Sequence, residues 1–287
     1  MAKLAYCFTN DVLFKVFFTQ RQDLLKRLVA SLLSVPHESI RELTVTNPEI
    51  LPDIIENKLC RLDINMKIDN RITDLEIQVK NEGDYPERSL YYWARDFSNA
   101  LKQGMDYSEL PQTISLNIID FSLFGCQDFH SEFRPLEVTR HDLLTDKMGL
   151  HYFELPKLPK DIDTDNEQRL WLSLFKAKTT EELEQIKATG VPMIQDAIQT
   201  YDKLTAEEKF REMERTKHFA ETNWQSSMVS AEKRGRAEGR AEGRAEGRAE
   251  GRAEGRAEGR AEFHEAEIGY QSRIAELELR IVELKQQ

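Results

Sequence analysis

Apolar residues recur at every second position twice between residues 58 and 80. Leu62, Ile64, Met66 and Ile68 form one set and Leu75, Ile77 and Val79 a second. That period is the mark of strands with one face in a core. Asp69 and Asn70 lie between the runs, and both residue types tolerate turn conformations. The stretch therefore predicts two short paired strands joined by a tight turn. Arg61, Asp63 and Asn65 fall on the polar face of the first strand, and Asp74, Glu76, Gln78 and Lys80 on that of the second. If those exposed faces meet, two carboxylates converge beside an amide and several cations, an arrangement suited to a divalent cation.

Elsewhere the period is helical. In residues 10–34, Leu13, Phe17, Leu24, Leu25, Leu28 and Leu32 recur near helical spacing, with Asn10 as a cap and Pro36 as a stop. A break around residues 19–23 divides this stretch into two helices. Residues 44–57, with Pro48 and Pro52, predict an irregular lead-in to the strand pair. Residues 81–88 read as a loop and 89–103 as a helix ending at Gly104, which suits a left-handed cap. The run TISLNIIDF at 113–121 has the apolar continuity of a strand buried on both faces. A further strand is expected at 150–155. From 165 to 232 helical spacing returns through Leu170, Trp171, Leu174, Phe175, Leu183, Ile186, Ile194, Ile198, Tyr201 and Leu204, with a junction at Pro192. This order predicts a mixed α/β sheet covered by helices.

Residues 235–262 are seven tandem copies of Gly-Arg-Ala-Glu. As a helix they would span roughly 42 Å. Like charges fall four residues apart and opposite charges two apart, so side-chain pairing gives no support. Each glycine costs roughly 1 kcal/mol relative to alanine. The expectation is a marginal helix or an extended spacer. A nucleic-acid role for the arginines is the alternative, but an equal number of glutamates cancels their charge. In 263–287, Tyr270, Ile274, Leu277, Ile281 and Leu284 alternate spacings of four and three, a heptad seam. It serves either self-association as a short coiled coil or folding back onto the chain's own domain.

Composition narrows the possibilities. Fifty-one acidic against 40 basic residues give a net charge of −11, which excludes coating nucleic acid by bulk charge and leaves only local or metal-assisted contact. Cys7, Cys60 and Cys126 are odd in number and set in apolar sequence, as expected of reduced thiols in a cytoplasmic protein. No apolar run reaches the roughly 18 residues of a membrane span, and no export signal is evident, so a soluble protein is expected. His130, His141, His151 and His218 show no ligand spacing.

Taken in order, the blocks NDVLFKVFF, RLDI, EIQVK and ERSLYYWARDFSNALKQGMDYSELPQTISLNIIDFSLF resemble the bacterial PD-(D/E)XK nuclease family transposases, also called the Rpn recombination-promoting nuclease group. The resemblance runs from about residue 10 to 124 and continues more weakly through the helical segment. It implies an α/β fold, with a restriction-endonuclease-like mixed sheet flanked by helices, followed by a helical segment and a C-terminal repeat helix or coiled coil. Domains are expected at 1–160 (nuclease-like), 161–232 (helical, packed on it), 233–262 (repeat spacer) and 263–287 (coiled coil). The implied activity is Mg²⁺-dependent endonucleolytic cleavage of DNA, with Mn²⁺ as another possible ion. Asp63 and Glu76 would ligate the metal, joined by the backbone carbonyl of Ile77. The ion activates water and offsets charge on the phosphate.

Gln78 stands where the wider superfamily places lysine, so it would orient water or phosphate without supplying charge. Lys80, one alternation further along, would supply that charge, and Asp11 matches an acidic residue that adds a ligand or water contact. Lys15 and Lys58 either face this site or pair with acids. Arg88, Tyr91 and Arg95 either contact DNA by charge and stacking or, with Tyr92 and Phe97 as core residues, belong to a solvated face. DNA and a second copy of the chain are the implied partners. The other reading keeps the fold without cleavage, as a DNA-binding or multimerising protein of mobile-element origin.

Overall fold

The computed structural model describes residues 2–48 and 63–285. Lys58, Cys60, Arg61 and Leu62, and with them the start of the expected strand pair, lie outside the described residues. One compact unit spans Met1–Glu221 and a second Thr222–Gln287.

The first unit is built on a six-stranded mixed sheet. Its strands are β1 (Leu43–Val45), β2 (Ile64–Ile68), β3 (Arg71–Gln78), β4 (Gln112–Ile119), β5 (His130–Phe133) and β6 (Met148–Glu154), in the spatial order β1-β2-β3-β4-β6-β5. β1–β2, β2–β3 and β5–β6 pair antiparallel, whereas β3–β4 and β4–β6 pair parallel. The β2–β3 turn closes at Asp69, whose φ of +52° is the left-handed conformation that the turn requires. Asp69 Oδ1 also accepts from the backbone N–H groups of Arg41 and Glu42, each at 3.1 Å, tying the turn to the lead-in of β1.

Seven helices are present among the described residues: α1 (Asp11–Gln20), α2 (Gln22–Leu32), α3 (Tyr85–Asn99), α4 (Glu167–Lys176), α5 (Thr180–Lys187) and α6 (Pro192–Ala206) belong to the first unit, and α7 (Glu208–Lys285) begins in it and continues through the second. Asn10 caps α1, its Oδ1 accepting from Leu13 N at 2.8 Å. Thr179 and Glu182 form a capping box at the start of α5. One face of the sheet presents Ile64, Met66, Ile68, Leu75 and Ile77 to a core shared with α1, α2 and α4–α6. Phe14 and Phe18 meet edge to face at 5.1 Å, and Phe18 lies 5.9 Å from the fully buried Trp171. α3 covers the other face, where Trp93 Nε1 donates to Thr113 O at 2.8 Å. Beneath it lies a polar layer: Tyr85 OH donates to Asn117 Oδ1 at 2.9 Å, and the Ser89 and Tyr152 hydroxyls meet at 2.5 Å.

Several expectations change. The 44–57 lead-in, of which residues 49–57 lie outside the described residues, begins with a strand, β1, and the stretch between β4 and β6 contains another, β5. α3 starts at Tyr85 rather than residue 89, because Pro86 sits in its first turn, where a missing N–H costs nothing. It ends at Asn99, leaving Gly104 with φ +84° in the following turn. Asp74 and Glu76 are 8% and 3% exposed, not solvated, because α3 roofs their face of a central strand. Val79, expected in the core, is 47% exposed just past the end of β3.

In the second unit the Gly-Arg-Ala-Glu repeats are helical throughout, as part of α7. Tyr270, Ile274 and Leu277 are exposed there, and the side chains of Ile281 and Leu284 lie outside the described residues. No helix among the described residues is long and apolar enough to cross a membrane.

Candidate functional site

Asp63 immediately precedes β2, and the local backbone is clamped by Asn47. Asn47 Oδ1 accepts from Asn65 N at 2.8 Å, and its Nδ2 donates to the carbonyl of Asp63 at 3.1 Å. Asn65 Nδ2 in turn donates to Asp63 Oδ2 at 2.9 Å, fixing the carboxylate. Across the β2–β3 ladder Asn65 faces Asp74, so Asp74 and Glu76, two residues apart on β3, project on the same side as Asp63.

Of these residues, Asp63 and Glu76 open onto a cavity of about 480 Å³. Its floor is formed by Asp63 and by Glu76, Ile77, Gln78, Val79 and Lys80 at the end of β3. Thr9, Asn10 and Asp11 enter from the start of α1, Glu82 from the loop before α3, and Glu214, Lys217 and His218 from the first turns of α7. Asp11, Asp63, Glu76, Ile77, Gln78 and Lys80, drawn from three separate parts of the chain, thus line one cavity. Gln78 Nε2 donates to the Lys80 carbonyl at 2.9 Å, and the Lys80 side chain is exposed at the rim. Asp11 Oδ2 pairs with Lys217 Nζ, while its Oδ1 accepts from Val12 N at 2.9 Å. Asn10 Nδ2 donates to Glu214 Oε2 at 3.2 Å, a second tie between α1 and α7.

The site crowds carboxyl groups together on a buried face. Burial, then the charges of Asp63, Glu76 and Asp96, push the Asp74 carboxyl well above the usual range. Its Oδ1 is buried with no hydrogen-bond partner among the described residues. Burial also raises Asp96 on α3, against the opposing pull of Arg95, with Asp63 adding to the rise. Arg88 is the compensating cation: its Nη2 lies 3.9 Å from Glu76 Oε1 and its Nη1 2.7 Å from Glu82 Oε2, and its guanidinium sits 5.0 Å over the Tyr85 ring.

Of the three residues considered for DNA contact, then, Arg88 is mostly buried beside Glu76. Tyr91 is 65% exposed, and Arg95 is half-exposed over the Tyr92 ring at 4.8 Å. Lys15 is fully buried in α1, and Lys58 lies outside the described residues.

Alternation put Asn65 and Asp74 on the polar faces of the strand pair without giving them a role in the site, and it missed Asn47, Asp96, Glu214, Lys217 and His218. Only the polarity of the Asp74 position pointed to its face. The last three come from a segment whose periodicity reports packing alone. Asp63 and Glu76 offer two hard oxygen donors in an acid-rich pocket, which fits a cation such as Mg²⁺ that keeps waters and takes a substrate oxygen. Among the described residues no three His, Cys, Asp or Glu side chains form a group that could hold a metal ion.

The model of the PD-(D/E)XK nuclease family transposases matches residues 8–231, and the chain belongs to that family. The six-stranded mixed sheet with flanking helices is consistent with the fold its name denotes. No curated protein and no solved structure matches the chain.

Proposed function

We propose that the protein is a Mg²⁺-dependent DNA endonuclease of the recombination or transposition type, acting in the cytoplasm. One observation carries the reading: family membership over residues 8–231 coincides with a single cavity that holds Asp63, Glu76 and Gln78 together. Asp63, steadied by Asn65, and Glu76, beside Arg88, are the residues that would hold the cation, with the Ile77 carbonyl. When bound, the ion supplies Lewis acidity and an activated water. Gln78 orients a water at the mouth of the site, its amide oxygen accepting from it, or donates its remaining amide N–H to a phosphate oxygen. The exposed seam of Tyr270, Ile274 and Leu277 supports pairing with a second copy of the chain as a coiled coil.

A second reading, DNA binding or multimerisation without cleavage, draws support from Gln78, whose amide N–H is bonded to the Lys80 carbonyl and brings no charge. Calorimetry separates the two. Mg²⁺ binding that disappears in Glu76→Ala supports the nuclease. No Mg²⁺ binding together with an intact dimer supports the interaction protein.

A further inference from the structure

We propose that Lys217 is the phosphate-contacting cation of this site and that Asp11 is its positioning residue. The inference rests on the nuclease reading. Five carboxylates, those of Asp11, Asp63, Glu76, Glu82 and Glu214, border the cavity. One divalent ion offsets two of those charges, and a phosphodiester adds another negative one, so the pocket requires a further cation facing the substrate.

Among the described residues Lys80 and Lys217 line the cavity and Arg88 lies beside Glu76. Arg88 is held at 2.7 Å by Glu82 and packed over Tyr85, on the α3 side. Lys80 is exposed at the rim, where solvent and salt screen it. Lys217 lines the cavity with its side chain only 15% exposed, and its ammonium is fixed on Asp11 Oδ2. A partly desolvated, anchored charge acts on a phosphate more strongly than a solvated one. An ammonium carries three N–H donors, so it can hold Asp11 and a non-bridging phosphate oxygen together.

The Asp11 carboxylate has both oxygens engaged, one by Lys217 and one by Val12 N. It also sits in the first turn of α1, where the helix dipole favours its charge. These bonds suit an anchor for Lys217 rather than a ligand for the ion. Lys217 would thus perform from α7 the electrostatic task that Gln78, lacking charge, does not perform from β3.

The test uses the full-length protein and two readouts: supercoiled-plasmid nicking in Mg²⁺, and binding of a DNA duplex in EDTA across a salt series. Lys217→Gln is expected to lower kcat by about 10²-fold or more, to lower the salt slope of duplex binding by about one, and to leave Mg²⁺ binding unchanged. Lys217→Arg should recover part of kcat, and Asp11→Asn should lower kcat less than Lys217→Gln does. If Lys217→Gln does not fold, judged by its circular dichroism melt, Lys217→Met preserves the aliphatic stem and gives the same readouts. Wild-type kcat and salt slope in the folded lysine variant, with nicking abolished in Asp63→Ala, would overturn the Lys217 role and leave the nuclease reading standing. A wild-type protein that does not nick would remove both.

Discussion

His151 on β6 makes the stability of the first unit depend on pH. Its side chain is buried, with Nδ1 3.1 Å from His130 Nε2 and Nε2 3.7 Å from Glu132 Oε1. Burial lowers its pKa from 6.5 to about 4; Glu132 opposes the shift, and His130 and Arg134 add to it. The folded state therefore holds His151 neutral. Between pH 6.5 and about 4 the unfolded chain binds a proton that the folded chain does not, so stability is complete above 6.5 and falls as pH drops. With those two values the loss between pH 7.5 and 5 is about 2 kcal/mol. His130, lowered by burial against Glu132, adds in the same direction. His151→Gln removes the titration while keeping a polar side chain, an amide, beside His130. Urea unfolding, followed by the fluorescence of buried Trp171, should show the wild type losing about 2 kcal/mol more than the variant between pH 7.5 and 5. Equal losses would refute the reasoning.

Phe17→Ala should cost about 3–5 kcal/mol of urea stability, because the ring is fully buried against Phe8 and Phe18; a loss under 1 kcal/mol would mean that the site collapses around the gap. In the repeats a Cβ at each glycine from Gly235 to Gly259 would meet no atom within 4 Å. Replacing all seven by alanine should therefore raise the helical circular dichroism and melting temperature of the tail, by up to about 1 kcal/mol per site. An unchanged melt would mean that the repeats are not helical in solution.

Local signals were legible where local physics decides. Asn10 before an apolar helical run gave the start of α1, and alternation in β2 gave the buried set Ile64, Met66 and Ile68. Asp69-Asn70 gave the turn. Alternation misled on β3, because a polar residue reads as solvated whether water or another helix covers its face. Asp74 and Glu76 are buried by α3, a tertiary fact that no two-residue period encodes. β1 and β5 are too short, at three and four residues, to show a period. Lys217 reaches the site from 206 positions beyond Asp11, through packing of α7 on α1, so neither spacing nor composition could place it. The repeats, judged marginal from glycine cost and poor charge spacing, are nevertheless helical within a longer continuous helix, since a helix already nucleated at Glu208 extends more easily than it starts.

The central claim is that Asp63 and Glu76 make this cavity a metal-dependent nuclease site. The most direct test is nicking of supercoiled plasmid by the purified full-length protein in Mg²⁺ and in EDTA, beside Asp63→Ala with an unchanged melting temperature. Nicking by the wild type in Mg²⁺ alone, lost in the variant, is the predicted result; equal nicking by both proteins, or nicking that persists in EDTA, would contradict it.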